Sequence, residues 1–463
     1  MNVRHFLSTK PATFLAFSLA VTSTRLLGDA SSDEIAALRE QIRQLDQKLR
    51  VLERKTEIAE EDAAAKAKTN AKLTVTDRGV TLASADGGTT LRLRGLVQGD
   101  SRWYLNDGGI GNNDAFILRR ARIIAEGTFN KIFEYQVVPE FGGSAVSVLD
   151  ANLNVNLKPG FQVRVGKFKT PVGLEQLQSD SFAFFTERSF VSQLVPNRDL
   201  GVQVWGDLYD GRLSYAVGAF NGVGDGGSSN NADFDDEKDV AVRLFAQPFK
   251  NDAGSFLQGL GVGVAASYGD EETASALTGG YRTDGQQRFF AYNSGVVGDG
   301  KIWRISPQAY YYNGPLGVLA EYVESTANVR TATSAKKELT NKAWQVAVGY
   351  VLTGEDSSYR GVSPAKNFNL SEGSCGAFEV VARVSHLDVD DASFPVFASA
   401  SASATEALAY GAGVNWYLSK AVRLTADYFH TDFDYAPGTP ASPSNAVIRQ
   451  DENSIITRLQ LTF

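Results

Sequence analysis

At 463 residues, with 43% hydrophobic residues, a formal net charge of −8 and a mean hydropathy of −0.18, the chain is too polar to be a bundle of membrane-crossing helices. Beyond residue 30 it holds no run of about eighteen apolar residues that would make even one such helix. A single cysteine, Cys375, excludes an intrachain disulfide framework.

Residues 1–30 read as a secretory signal. Arg4, His5 and Lys10 form a basic start, residues 11–21 an apolar stretch, and Gly28 and Ala30 are small residues placed for cleavage. The mature chain is then exported. Residues 31–58 carry a heptad: Ile35, Leu38, Ile42, Leu45, Leu49 and Leu52 make an a/d seam among charged and amide side chains. So short a coiled-coil helix needs partner helices of its own kind. Ile at a with Leu at d leans toward two strands; an amphipathic helix lying on a surface is the other reading. Residues 59–90 are expected to be a linker, rich in Ala and Lys at first, and then a pre-barrel segment.

From Lys72 the period becomes two. Leu91, Leu93, Val97 and Trp103 share one face, and Arg92, Arg94, Gln98, Asp100 and Arg102 the other. The last segment repeats this, with Ile455, Leu459, Leu461 and Phe463 opposite Arg458 and Gln460. Sixteen such segments are predicted: 91–103, 115–129, 131–141, 146–158, 161–169, 200–208, 211–220, 238–247, 258–268, 301–312, 315–325, 342–352, 377–388, 406–418, 421–431 and 452–463. Alternation alone also fits a soluble sandwich. Connection lengths decide, because joins after even-numbered segments are mostly tight (Pro159-Gly160, Asp210-Gly211, Asn313-Gly314, Ser419-Lys420) while those after odd-numbered ones are often long and polar. The expected fold is therefore all-β: a sixteen-stranded antiparallel transmembrane barrel over residues 91–463, both ends periplasmic. One join departs, since 353–376 should be a short turn and is not.

Parity places Arg92, Arg94, Arg102, Arg120, Arg122, Arg164, Arg212, Arg243, Arg304, Arg383, Arg423 and Arg458 on the polar face. In a barrel of this size that face looks into a water-filled lumen. Guanidinium is always charged and its planar fork matches phosphate or carboxylate oxygens. A column of them offers an anion successive weak sites, which conduction requires. Acids share the face, at Asp100, Glu126, Glu140, Asp150, Glu379 and Asp427, so packing by charge pairing is the competing reading. The long join 170–199 is the third outer loop. It carries Glu175, Glu187, Arg188 and Arg198, with Lys167 and Lys169 at its base, and Phe182, Phe184, Phe185 and Phe190 to pack it against the wall. Folded inward, it would form a constriction with Lys167, Lys169, Arg188 and Arg198.

Several stretches resemble the phosphate-selective porin O and P family: FILRRARIIAEG at 116–127, VRVGKFKTPVGLEQL at 163–177, ERSF at 187–190, RDLGVQV at 198–204, LAEYV at 319–323, FEVVARVSHLDV at 378–389 and GVNWYLSKAVRLTAD at 413–427. The resemblance implies a homotrimer of sixteen-stranded barrels in the outer membrane of a Gram-negative-type bacterium. It implies passage of small anions such as phosphate or polyphosphate past an arginine ladder and a lysine-rich constriction. Residues 170–199 contain no lysine, so the lysine cluster does not carry over. Closing the last strand, Phe463 resembles the signal read by barrel-assembly machinery, and the barrel wall would meet lipid and lipopolysaccharide.

Two other readings stand beside this one: a general or neutral-solute porin, and a structural protein whose barrel anchors an envelope-tethering helix. An enzyme is not expected. His386 and His430 sit in no nucleophile or metal-ligand motif, no phosphate-binding glycine loop appears, and nothing calls for a cofactor or nucleic acid.

Overall fold

The computed structural model describes residues 32–77, 79–105, 113–229, 236–275, 277–436 and 451–463. The expected signal at 1–30 lies outside them.

α1 (Ser32–Thr69) is one continuous helix. Its seam residues Ile35, Leu38, Ile42, Leu45, Leu49 and Leu52 are all exposed. The helix overruns its expected end at 58 and takes in the first part of the supposed linker. Ala, Glu and Lys are strong helix formers, so the backbone stays helical where the apolar seam has stopped.

The rest of the chain is a sheet closed on itself. A hairpin of β1 (Lys72–Thr76) and β2 (Gly79–Ala83) precedes β3 (Thr90–Tyr104), β4 (Ala115–Phe129), β5 (Phe133–Glu140), β6 (Ser147–Lys158), β7 (Phe161–Lys169), β8 (Arg198–Leu208), β9 (Leu213–Phe220), β10 (Asp239–Ala246) and β11 (Leu260–Ser275). Two short strands, β12 (Tyr281–Arg282) and β13 (Arg288–Phe290), pair only with each other. Then come β14 (Val297–Asn313), β15 (Leu316–Arg330), β16 (Lys337–Val351), β17 (Ala377–Asp388), β18 (Glu406–Tyr417), β19 (Val422–Asp434) and β20 (Asp451–Thr462). Sixteen strands, β3–β11 and β14–β20, each pair antiparallel with the next, and β20 pairs back with β3. Each overlaps one of the sixteen predicted segments, with β11, β15 and β16 running five or more residues further on the loop side. The pre-barrel residues extend the seam: β2 pairs with the start of β3 (Val80↔Leu93), while β20 pairs with the remainder (Leu461↔Val97).

Closure dictates which residues face where. Along β16, Leu339, Asn341, Ala343, Gln345 and Ala347 are buried, while Lys342, Trp344, Val346, Val348 and Tyr350 are exposed. The outward set is mainly apolar because lipid is its solvent, as expected for an outer-membrane barrel. Exposed aromatics gather toward both rims, with Trp103, Phe116, Tyr268, Trp344 and Tyr410 on the loop side and Phe129, Phe133, Phe161, Tyr350 and Phe463 on the turn side. Such girdles mark the two membrane interfaces.

The inward set is buried because outer loops fill the barrel. One apolar cluster joins Val172, Phe190, Val191, Leu194 and Val195 of the third loop to Tyr281, Phe289 and Phe290 of the fifth, and to Val389, Ala398 and Ala404 beyond β17. It sits on wall residues Phe168, Phe220, Ala241 and Ala265.

At the seam the Gly95 N–H donates to Phe463 O (2.7 Å) and the Phe463 N–H to Gly95 O (3.1 Å). The Phe463 ring covers Gly95, where a methyl would lie 2.4 Å from it. Deleting Phe463 removes both bonds and is expected to cost about 1–3 kcal/mol of barrel stability. Phe463→Leu keeps the backbone pair and should retain most of that stability; heat-modifiability on SDS gels would show the order.

Candidate functional site

The third outer loop, 170–197, leaves β7, enters the barrel and carries a one-turn helix, α2 (Leu174–Leu177). Strand side chains hold its backbone in turn around the wall. The Leu174 and Glu175 N–H groups donate to Glu321 on β15 (2.6 and 3.1 Å), and Gln345 Nε2 on β16 donates to the Glu175 carboxylate (2.9 Å). Arg383 on β17 donates to Glu187 O (3.0 Å) and Asn415 on β18 to Phe184 O (2.8 Å). The Thr186 N–H donates to Asp427 on β19 (2.7 Å), Arg458 on β20 to Thr186 O (2.5 Å), and Gln98 on β3 to Asp180 O (3.3 Å). The loop's aromatics fit between these polar ties. Phe184 lies against Gly349, where a methyl would come within 2.7 Å of the ring, and Phe185 packs on Phe429 beneath the Arg383 guanidinium.

Two carboxylates of this loop each meet three guanidiniums. Glu187 accepts from Arg119 (2.7 and 2.9 Å) and Arg102 (2.7 Å), with Arg458 at 3.5 Å. Asp180 meets Arg188 (2.5 Å), Arg120 (3.3 Å) and Arg122. Burial alone would raise both carboxyls. The guanidiniums outweigh it and hold both below the usual carboxylate range, Asp180 well below. With Asp100 and Glu140, four carboxylates face six guanidiniums in this group, leaving two positive charges.

The predicted arginines divide by what covers them. Arg304, Arg383, Arg423 and Arg458 point inward as parity required, yet are only 1–3% exposed. They were expected to line open water; instead they fasten loops. Arg304 pairs with Asp225 (2.8 Å) and bonds Val223 O, Arg383 pairs with Asp284 (2.6 Å), Arg423 bonds Ala183 O (3.0 Å), and Arg458 forks onto Asp100 (2.6 and 2.7 Å). Arg120, Arg122 and Arg102 belong to the carboxylate groups above. Arg92 and Arg94 share Glu126 nearer the turn side and stay about one-third exposed. Arg212 is not on the lumen face at all but in the turn before β9, beside Asp252.

The expected constriction residues are likewise engaged. Lys167 Nζ donates to Ser229 O (2.6 Å) and Lys169 Nζ to Gln176 O and Gln178 O (2.7 and 2.8 Å). Arg188 donates to Glu175 O and Gln178 O, and Arg198 to Asp150 (3.2 Å). His386 and His430 pair with Glu406 and Asp432, away from the loop-filled interior.

Among the described barrel-strand arginines, Arg164 and Arg243 alone combine partial exposure with no carboxylate in bonding range. Arg164 lies 4.8 Å from the Trp205 ring centroid and 5.5 Å from that of Phe168. Arg243 lies 4.5 Å from the Phe245 centroid and donates its Nε–H to Gln308 (3.1 Å).

Two further inward segments were not foreseen. The fifth loop places Asp284 on Arg383, and burial pushes the Asp284 carboxyl up to about 7 against the pull of that guanidinium. The long join 352–376, on the turn side, sends Tyr359 to meet the third loop: its hydroxyl donates to Leu174 O (2.5 Å), and Gln178 Nε2 donates to Tyr359 O (2.8 Å). Its excess length was the only signal.

A closed barrel with an apolar outer wall, a polar lumen and an inward third loop is an outer-membrane porin. Residues 91–463 match the model of the family described as phosphate-selective porin O and P, and the chain belongs to that family. Porin O of Pseudomonas aeruginosa is 27% identical over 432 residues, covering 84% of this chain and 92% of the relative. Among solved structures, the outer membrane channel DcaP of Acinetobacter baumannii matches 81% of this chain and 98% of its own (TM-score 0.52, 10% identity). The anion-selective porin from Comamonas acidovorans matches 81% and 100% (TM-score 0.50, 12% identity). Both share the fold. The protein's place is the outer membrane of a Gram-negative bacterium.

Glu187→Gln takes a carboxylate from the buried Arg102 and Arg458, which keep Asp100, and from the half-buried Arg119, which keeps none in pairing range, and should cost about 3–5 kcal/mol, loosening the loop. Protease cleavage within 180–190 and noisier open-channel current are the readouts. In the unaltered protein the lowered Glu187 pKa stabilises docking fully above its ordinary value of 4.5. That contribution declines only as pH falls below this value toward the folded-state one.

Proposed function

We propose that the protein is a trimeric channel through which small anions, phosphate among them, diffuse passively. The observation that carries this is the pair Arg164 and Arg243, partly exposed guanidiniums on a stretch of wall where inward neighbours such as Gly201, Ala216, Gly218 and Ala241 are small. The two-charge surplus around the third loop adds to the same field. A chain charge of −8 does not oppose it, since the local potential in a low-dielectric channel governs passage. Lys167, Lys169, Arg188 and Arg198 contribute positive potential near the loop while their donors hold backbone and side-chain oxygens. With no lysine in 170–199, the preference extends to anions generally rather than to phosphate alone.

Family membership supports the trimer, and the exposed seam of α1 supports self-association of that helix. The aromatic girdles fit a wall in contact with lipid and lipopolysaccharide, and Phe463 fits a terminal strand read by assembly machinery.

In planar bilayers under a potassium chloride gradient, reversal potentials should report chloride preference. Replacing Arg164 and Arg243 together by Gln should move them toward the cation side. A cation-selective wild-type channel would contradict the proposal. Removing residues 31–70 should leave single-channel conductance unchanged while the trimer dissociates at lower temperature in detergent.

A further inference from the structure

We infer that Arg243, and Arg164 in the same manner, form binding positions for organic anions with a planar apolar body, with aryl carboxylates as the chemical class. This rests on the anion-channel reading and goes beyond it, because the surroundings of these guanidiniums differ from what an inorganic oxyanion uses best. A tetrahedral phosphate is held by donors converging from several sides. Here each guanidinium stands among ring faces instead.

At Arg243 the Nε–H is taken by Gln308, and the Nη donors have no acceptor among the described residues. One end of the fork is thereby fixed and the other is open, which matches a single carboxylate. Aromatic surface continues from that fork. Phe245 lies 5.0 Å from Tyr310, centroid to centroid, and Tyr310 stacks on Tyr359 at 5.5 Å with an interplanar angle of 26°. Tyr310 and Tyr359 are only partly buried, so ring surface remains open. Tyr359 is held at both its hydroxyl and its carbonyl by the third loop, so its ring is placed before any solute arrives.

Arg164 repeats the pattern on β7, with two strands between it and β10. Its guanidinium stacks on Trp205, whose indole N–H is already bound to Asn154 (2.9 Å), so the ring face rather than the N–H meets the cation. Trp205 and Arg243 both pair across to Ala216, so a single small residue separates them in one row of the wall. A solute carboxylate can move from one guanidinium to the other while its ring stays against aromatic surface. The tyrosine arriving from 352–376 also gives that long join a use, which a short turn would lack.

The test uses the full-length channel in planar bilayers carrying chloride current, with benzoate, cyclohexanecarboxylate, acetate and inorganic phosphate added in turn. Benzoate should reduce the chloride current at roughly ten-fold lower concentration than acetate, cyclohexanecarboxylate falling between. Tyr310→Leu and Tyr359→Leu should each weaken the benzoate effect by about five-fold and leave acetate unchanged, while Tyr359→Phe, which keeps the ring, should preserve it. Arg243→Gln should weaken benzoate and acetate alike. Equal potency of benzoate and acetate, or benzoate block unaltered by both tyrosine-to-leucine changes, would overturn the inference. A channel that prefers potassium before any organic acid is added would instead show that the anion-channel reading itself had failed.

Discussion

The pairing of guanidinium with carboxylate across the lumen is the interaction on which the remaining structure depends. A sixteen-stranded sheet encloses more space than its own side chains fill, and its inward residues must be polar where water is present. The third loop occupies much of that space. It stays there because Asp180 and Glu187 each meet three arginines and because its carbonyls accept from Arg383, Asn415, Arg423 and Arg458. Desolvating this many charges is expensive, and only near-complete pairing offsets the cost. The mix of acids and arginines on the polar face is therefore what lets the loop dock.

Strands were legible in the sequence because period-two alternation against lipid leaves little freedom: shifting a strand by one residue would turn its apolar face into water. The faces of the arginines within strands were legible for the same reason, whereas Arg212, just before β9, lies in a turn. Their exposure was not, since parity says that Arg304 or Arg458 looks inward and nothing about what lies over it. The signal that could have corrected this was present in Phe184, Phe185 and Phe190. Those rings need apolar contact, and a loop that finds it inside the barrel must cover the neighbouring strand arginines. The helix continues past residue 58, where the heptad seam ends, because residues 59–69 retain helix-forming composition.

Loop docking and solute passage draw on one set of residues with opposite requirements. A guanidinium that fastens a loop must be neutralised and buried. One that passes an anion must be charged, reachable and quick to release. Arg120, Arg122, Arg383 and Arg458 satisfy the first demand. On the proposed reading the wall of β7–β10 answers the second, where Gly201, Ala216 and Gly218 are small beside Arg164 and Arg243.

An unpaired guanidinium poses its own difficulty: with no carboxylate to hold it, a long flexible side chain sweeps many positions and loses the orientation that makes its fork useful. Stacking on Trp205, Phe168 or Phe245 resolves this without cancelling charge. The ring quadrupole attracts the cation and favours one plane for it, yet supplies no hydrogen-bond acceptor, so at Arg243 the Nη groups stay available. Aromatic backing, joined at Arg243 by the neutral Gln308 acceptor, is thus a support compatible with both order and an open anion position. It has a consequence for selection, because the surface that steadies the arginine also lies beside whatever the arginine binds. Solutes whose own bodies favour ring faces gain from that surface, and compact hydrated anions do not.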